Sequence, residues 1–355
     1  MKSLSLTAIQ GEVEDLCHNG HDVVTSMSKV SMQPIGSFSD PDRLHITGLP
    51  WWTADGAGVY AMSHRAREGL LSRINFPSKF WDFLPTKNLR QSRDGIANNL
   101  LKQSKRDTMI RMNGQEVYGI LSPAYERINH DWVIDQLWEN EVASDFHITD
   151  FRADRDRLVL KARQKSMREV GDYGVGFVIT NSMSGIAAFE MRAYVHVLAC
   201  ANGMILPRGH FMEDLRMVHR GGASPAGLMP PPSYEGKKFD QLSSHIADTI
   251  RKARSAEFAE YIGQNIERAK LDIIYHNNED EEQDTFHRIS NMLRLTQEER
   301  ESYGEALLRP EHTPNRWGYV QAATWMAHQA PIVGTDRQEA IESAAWEVLT
   351  TEKYI

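Results

Sequence analysis

Lys161, Arg163 and Lys165 stand at every second position of one segment, with Ala162 and Gln164 between them. On an extended strand this spacing turns all three cations to one face, and such a row suits phosphate oxygens. Arg155 and Arg157 repeat the spacing nearer Asp154 and Asp156. The same pattern has a plainer use, because charge on an edge strand protects it from pairing with other chains. Other groupings point to chemistry less directly. Cys17, His18 and His21 form half of a metal site, with no second ligand pair at a finger-like distance. His196, Cys200 and His210 are close in sequence, but a Cys–His nucleophile needs an orienting third group, and Cys200 packed beside a turn explains the spacing as well. Glu279 to Glu282 with Asp284 could ligate a divalent cation, or form a solvated acidic loop. Gly174-Val175-Gly176 lacks the third glycine and following helix of a dinucleotide site, and no Walker lysine motif occurs. The residues therefore imply no catalytic group, cofactor or metal, and the expected role is binding.

Charge distribution locates that role. The formal net charge is -8, yet it is unevenly spread. Eleven Lys/Arg face four Asp/Glu between Ser63 and Met112, and seven face three between Phe151 and Val170, whereas Leu271 to Thr313 holds four against eleven. The first half can thus present a basic face and the C-terminal third an acidic one. The candidate phosphate contacts are Arg65, Arg67, Lys102, Lys105, Arg106 and Arg111 in the first run. In the second they are Arg152, Arg155, Arg157, Lys161, Arg163 and Lys165. The alternative is that both runs are solvated helix and hairpin surfaces. Tyr125, Trp132, Trp138 and Tyr173 could stack on bases, although Trp132 and Trp138 fall in an apolar helical pattern that favours the core. Trp51 and Trp52 could clamp a neighbouring subunit.

The elements that must position these residues follow from periodicity and punctuation. Apolar residues make up 41% of the 355 and charged ones 25%, the balance of a globular chain with a large core. Its apolar runs are too short to span a bilayer, and the opening residues lack a basic region followed by a long apolar stretch. With two cysteines and no disulfide framework, a cytoplasmic protein is expected, in the host cytoplasm if phage-encoded. Residues 1–60 are rich in Gly, Ser, Asp and Pro and read as a loop-rich arm. Residues 61–108 read as a basic helical region, with Ser63 capping a helix to about Ile74, an aromatic connector from Phe76 to Pro85, and a helix from about Ser92 to Lys105.

From 109 to 220 the period is that of strands. Asn113-Gly114 closes a hairpin between Met109–Met112 and Val117–Leu121, Asp131–Glu141 is a short helix, and Phe146–Lys165 is a second hairpin. Val175, Phe177 and Ile179 alternate, and Phe189 to Leu198 is apolar enough for full burial. Residues 221–238 read as a Pro/Gly linker and 239–355 as helices, with a capping box at Thr296 to Glu299 and helix starts at Asn315 and at Thr335 or Asp336. The expected class is α+β, an antiparallel sheet core with helices packed on it.

Five motifs in one order carry a resemblance. They are Ser63-His64-Arg65-Ala66, the Gly119 to Asn129 segment GILSPAYERIN, Asn181-Ser182 followed by Gly185, Cys200-Ala201-Asn202-Gly203-Met204, and the Asn315 to Thr324 segment NRWGYVQAAT. Over about residues 60 to 350 the chain resembles the phage and plasmid proteins grouped as domain of unknown function nine-three-two. It departs from them at Val197, where an arginine is usual and the nearest is Arg192. The resemblance implies a role in phage or plasmid DNA metabolism. By fold-level analogy, the sheet-then-helix order is similar in outline to single-strand annealing proteins of the Rad fifty-two and Red-beta type. Such proteins imply single-stranded DNA as partner, assembly into a homo-oligomeric ring or filament, and no membrane. The alternative is a phage or plasmid protein-interaction factor that binds no nucleic acid.

Overall fold

Ser5, with Leu6, Ile9 and Val13 on one helical face behind it, opens the chain as a helix where a loop-rich arm was expected: the Ser5 hydroxyl accepts from the Ala8 N–H, and those three apolar residues are buried. A computed structural model describes residues 4–33, 42–48, 58–165, 173–197, 202–207, 215–222, 224–309 and 312–351. Trp51, Trp52, Cys200 and His210 lie outside the described residues.

Helix α1 (Leu6–Cys17) leads to β1 (Gly20–Ser26), a 3-10 turn (Met27–Lys29), β2 (Val30–Met32), β3 (Arg43–Ile46) and β4 (Val59–Met62). Three helices follow, α2 (His64–Ile74), α3 (Ser78–Thr86) and α4 (Arg90–Gln103), then the hairpin of β5 (Asp107–Asn113) and β6 (Glu116–Leu121). Next come α5 (His130–Glu139), α6 (Val142–Asp145), β7 (Phe146–Ala153), β8 (Leu158–Gln164), β9 (Tyr173–Asn181), β10 (Phe189–Val197), β11 (Asn202–Ile205), β12 (Leu215–Met217) and β13 (Gly227–Leu228). The chain ends in α7 (Lys237–Ala253), α8 (Ala256–Leu271), α9 (Glu279–Met292), α10 (Gln297–Leu307), α11 (Arg316–Ala327) and α12 (Asp336–Thr350).

The class is α+β, built on two sheets. The first has the order β13-β1-β5-β6-β4-β3-β2, antiparallel except that β4 runs parallel to β6. The second has the order β11-β10-β9-β8-β7, with β12 also on β10. Gly114 takes a φ of 55° at the first hairpin tip, the conformation the Asn-Gly pair supplies. Ser63 caps α2 through the Ala66 N–H, and Thr296 with Glu299 forms the capping box of α10. The aromatic connector is helix α3. It buries Trp81, whose indole N–H donates to Asp42 and whose ring lies under the Arg93 guanidinium, and leaves Phe80 and Phe83 exposed. The acidic run from Glu279 is the first turn of α9, favoured there by the helix dipole and capped by Asn278. Residues 224–236 lie against the sheet rather than apart from it: Gly227 and Leu228 pair with β1, and Arg127 donates to the Pro230 carbonyl.

The Asn315 motif is a helix start. Asn315 accepts from the Gly318 N–H, Trp317 is buried, and Arg316 pairs with Asp272. A Cβ on Gly318 would collide with the Thr313 carbonyl oxygen. Ala is the better helix former by about 1 kcal/mol, so Gly318→Ala separates propensity from packing. The collision is expected to dominate, with a net loss of about 1–3 kcal/mol in urea unfolding.

Candidate nucleic-acid interface

Strand β8 divides its side chains as alternation requires. Leu158, Leu160 and Ala162 enter the large core, while Val159 joins Val178, Tyr194 and Ile205 on the other face, which Lys161 shares. The sidedness expected of the cations is therefore present, but their exposure is not. Helix α12 sends Ile341, Ala345 and Trp346 into the core it shares with α8 and α11, and turns Glu339 and Glu342 onto the cationic strand face. Lys161 is 0% exposed, with Nζ 2.7 Å from both carboxylate oxygens of Glu342. Arg157 pairs with Glu339 and Asp336, and Arg192 approaches Glu339 at 3.5 Å.

Glu342 is itself fully buried. Burial alone would push its carboxyl up, yet Lys161 and His328 outweigh it and hold it at about 2. His328 Nε2 lies 2.9 Å from Glu342 Oε1, and Gln338 donates to the same oxygen at 2.8 Å. A charge in such a place is retained only when paired and hydrogen-bonded on several sides.

The same correction applies to Arg111, which is 2% exposed. It donates to Asp22 at 2.9 Å, to Asn129 at 2.7 Å and to the Met183 carbonyl at 2.8 Å. Neither Lys161 nor Arg111 can reach a phosphate, because each occupies an interior carboxylate. Arg152 pairs with Asp150, Arg155 with Glu116, Arg67 with Asp82, and Arg65 stands 3.9 Å from Asp156. Lys165 is exposed and bonds the Ala143 carbonyl, whereas half-buried Arg163 makes no ion pair among the described residues. The second hairpin is thus an electrostatic joint to α12 rather than an open trough.

Two of the motifs that carry the resemblance, the Gly119 to Asn129 segment and Asn181-Ser182 with Gly185, meet at the seam between the sheets. Tyr125 donates to the Ser182 carbonyl and stacks on His219 at 4.9 Å; Arg127 pairs with Asp22; Asn181 donates to the Ile128 carbonyl and lies 3.0 Å from His130 Nδ1. Ser182 accepts from the Gly185 and Ile186 N–H groups, and Gly185 holds a φ of 83°. Of the other aromatics, Trp132 and Tyr173 are core, while Trp138 is 39% exposed.

Burial keeps three histidines of the sheet core neutral, lowering His130 to about 3 and His196 and His219 to about 4. An unfolded histidine binds its proton near 6.5, so the folded state is favoured fully above that pH and loses ground as pH falls towards 4. The free energy of urea unfolding is expected to fall continuously from pH 6.5 to pH 4, by at most about 1.4 kcal/mol per pH unit for each histidine.

Cations without a carboxylate gather elsewhere. Lys102 ends α4, Lys105 and Arg106 follow it, Arg73 ends α2, and Lys29 lies in the 3-10 turn. Arg106 ties the corner together: its guanidinium donates to the Arg73 carbonyl at 3.2 Å, and its own carbonyl accepts from the Met27 N–H at 3.0 Å. Burial and the adjacent Arg106 push the Arg73 pKa down, the mark of cations crowded without compensation. Lys29, Lys102, Lys105 and Arg106 are exposed, and none of the five is in an ion pair among the described residues; Asp107 is the nearby acid in sequence. Lys29 and Arg73 were missed in the sequence because each belongs to a different element. Part of the corner has a structural use, since cations favour helix C-termini.

Cys17, the start of the half metal site, has its thiol pushed up to about 11 by burial and by Asp131, and its Sγ lies 3.7 Å from Met183 Sδ. Among the described residues no group of three His, Cys, Asp or Glu side chains could hold a metal ion, and no helix is long and apolar enough to cross a membrane. Set against family models, curated proteins and solved structures, the chain matches none.

Proposed function

We propose that the chain binds single-stranded nucleic acid through its phosphate backbone at the corner formed by the ends of α2 and α4. One observation carries the reading: while ion pairs occupy Arg152, Arg155, Arg157 and Lys161 of the second hairpin, Lys29, Arg73, Lys102, Lys105 and Arg106 stay together with no carboxylate partner among the described residues. Lysine and arginine on phosphates supply affinity without reading sequence. Contacts confined to the backbone leave base edges free to find a complement, which is what strand annealing requires. The choice of a single strand, and of annealing as the outcome, draws on the resemblance to phage and plasmid proteins. No catalytic residue enters the proposal.

The test is direct. A fluorescently labelled single-stranded oligonucleotide is titrated with the chain at about 50 and 200 mM salt, a range over which phosphate contacts weaken steeply. Binding that weakens with salt is expected. No binding at the lower salt, or binding indifferent to salt, would end the reading.

A further inference from the structure

Helices α9, α10 and the start of α11 enclose a groove of about 580 Å³. Phe286, Leu307 and Leu308 supply its apolar surface, and Leu308 is 86% exposed. Glu279 and Glu282 stand on its rim without an ion pair among the described residues, in the stretch where acids outnumber bases eleven to four. The 272–276 strand of chain that forms another wall is tied down by the Ile274 N–H on the Pro314 carbonyl, and it exposes Tyr275 to 80%. A second kind of signal comes from His312, which is nine-tenths buried and lines the groove. Its Nδ1 lies 2.6 Å from the Ala306 carbonyl, which can only accept, so Nδ1 carries the proton and Nε2 keeps a lone pair with no partner.

The face that matches this groove is on the same chain. Phe80 and Phe83 are three residues apart on α3, hence on one side, and are 55% and 50% exposed. Lys79 and Lys87 bracket them, the Lys87 ammonium lying 5.6 Å over the Phe83 ring, and neither lysine has an ion pair among the described residues. Asp82 on the same helix is engaged by Arg67. Two phenylalanines flanked by lysines complement an apolar groove with two glutamates on its α9 wall in both charge and character.

We infer that α3 of one copy docks in the α9–α10 groove of a second copy, with Phe80 and Phe83 against Phe286 and Leu308, and Lys79 and Lys87 towards Glu279 and Glu282. The contact joins two different surfaces, so it is heterologous and propagates head to tail into a ring or an open chain. It leaves the cation corner of every copy exposed and repeats it along the assembly. The inference does not depend on nucleic-acid binding and is tested without nucleic acid.

Sedimentation velocity of the full chain at low salt reads the association directly. The wild type is expected to exceed the mass of one chain increasingly with concentration, and to fall back to it in high salt. Phe80→Ala/Phe83→Ala, which spoils the helix, and Glu279→Lys/Glu282→Lys, which spoils the groove, are each expected to be monomeric. Both pairs are surface changes, and an unchanged circular dichroism spectrum shows that the fold holds. An equimolar mixture of the two variants retains one sound helix and one sound groove, and is expected to stop at two chains. Lys102→Glu/Lys105→Glu is expected to assemble as the wild type does, which separates this inference from the nucleic-acid reading. A monomeric wild type at every concentration, variants that associate like the wild type, or a mixture that stays monomeric while the wild type associates overturns it.

Discussion

Lys161→Met is expected to lower the free energy of unfolding by about 3–5 kcal/mol, because it leaves the Glu342 carboxylate buried opposite an apolar side chain. Methionine fills much of the same volume, so the loss reports the stranded charge and not a cavity. Lys161→Met/Glu342→Leu removes both charges and is expected to recover most of that loss, since a buried pair is often no more stabilising than apolar residues of similar size. Urea unfolding of the two single variants and the double variant closes the cycle. Equal and additive losses would mean that the two side chains are not coupled, and that α12 is not fastened to β8 through them. The pH dependence gives a second reading of the same pair. Glu342 is held at about 2, below its ordinary 4.5, so its contribution is complete above pH 4.5 and is lost as pH falls towards 2. Glu342→Gln is expected to flatten the acid limb in that window.

The second large effect concerns binding. Lys102→Glu/Lys105→Glu/Arg106→Glu changes exposed side chains at the corner and gives up the Arg106 bond to the Arg73 carbonyl, so an unchanged circular dichroism spectrum is the check that the fold holds. Three phosphate contacts become three repulsions, and the affinity for a labelled single strand is expected to drop by about two orders of magnitude at low salt. Arg152→Glu, on the second hairpin, is expected to change affinity little, since Arg152 is already held by Asp150. If the hairpin variant loses binding and the corner variant keeps it, the interface lies where the alternating spacing first suggested.

The contrast between those two sites shows what a sequence discloses. Alternation correctly put Lys161 and Arg163 on one side of a strand, because it depends on neighbours two residues apart. The cover supplied by Glu342 lies 181 residues away, and nothing local announces it. A weaker sign was present: Lys161 interrupts Leu158, Val159, Leu160 and Ala162, and Arg111 sits within Met109, Ile110 and Met112. A cation inside an apolar strand is more consistent with a buried ion pair than with an open surface. The hairpins, the Ser63 cap, the capping box at Thr296 and the α+β class were legible for the same local reason. Helix α1 was missed because turn-forming residues along the first 60 positions outweighed its Leu6, Ile9, Val13 spacing. Helix α3 was hidden by its bounding prolines, although Pro77 stands at the N-cap, where the missing N–H costs nothing, and Pro85 interrupts only the final turn.

The salt dependence of single-strand binding tests the account most directly. Each phosphate neutralised on a single strand contributes about 0.7 to the slope of log K against log salt, so five cations at one corner predict a slope near -3.5. Lys102→Glu/Lys105→Glu/Arg106→Glu is expected to reduce its magnitude by about 2. A wild type that binds with no salt slope, or a corner variant whose slope equals that of the wild type, would contradict the assignment of function to this corner.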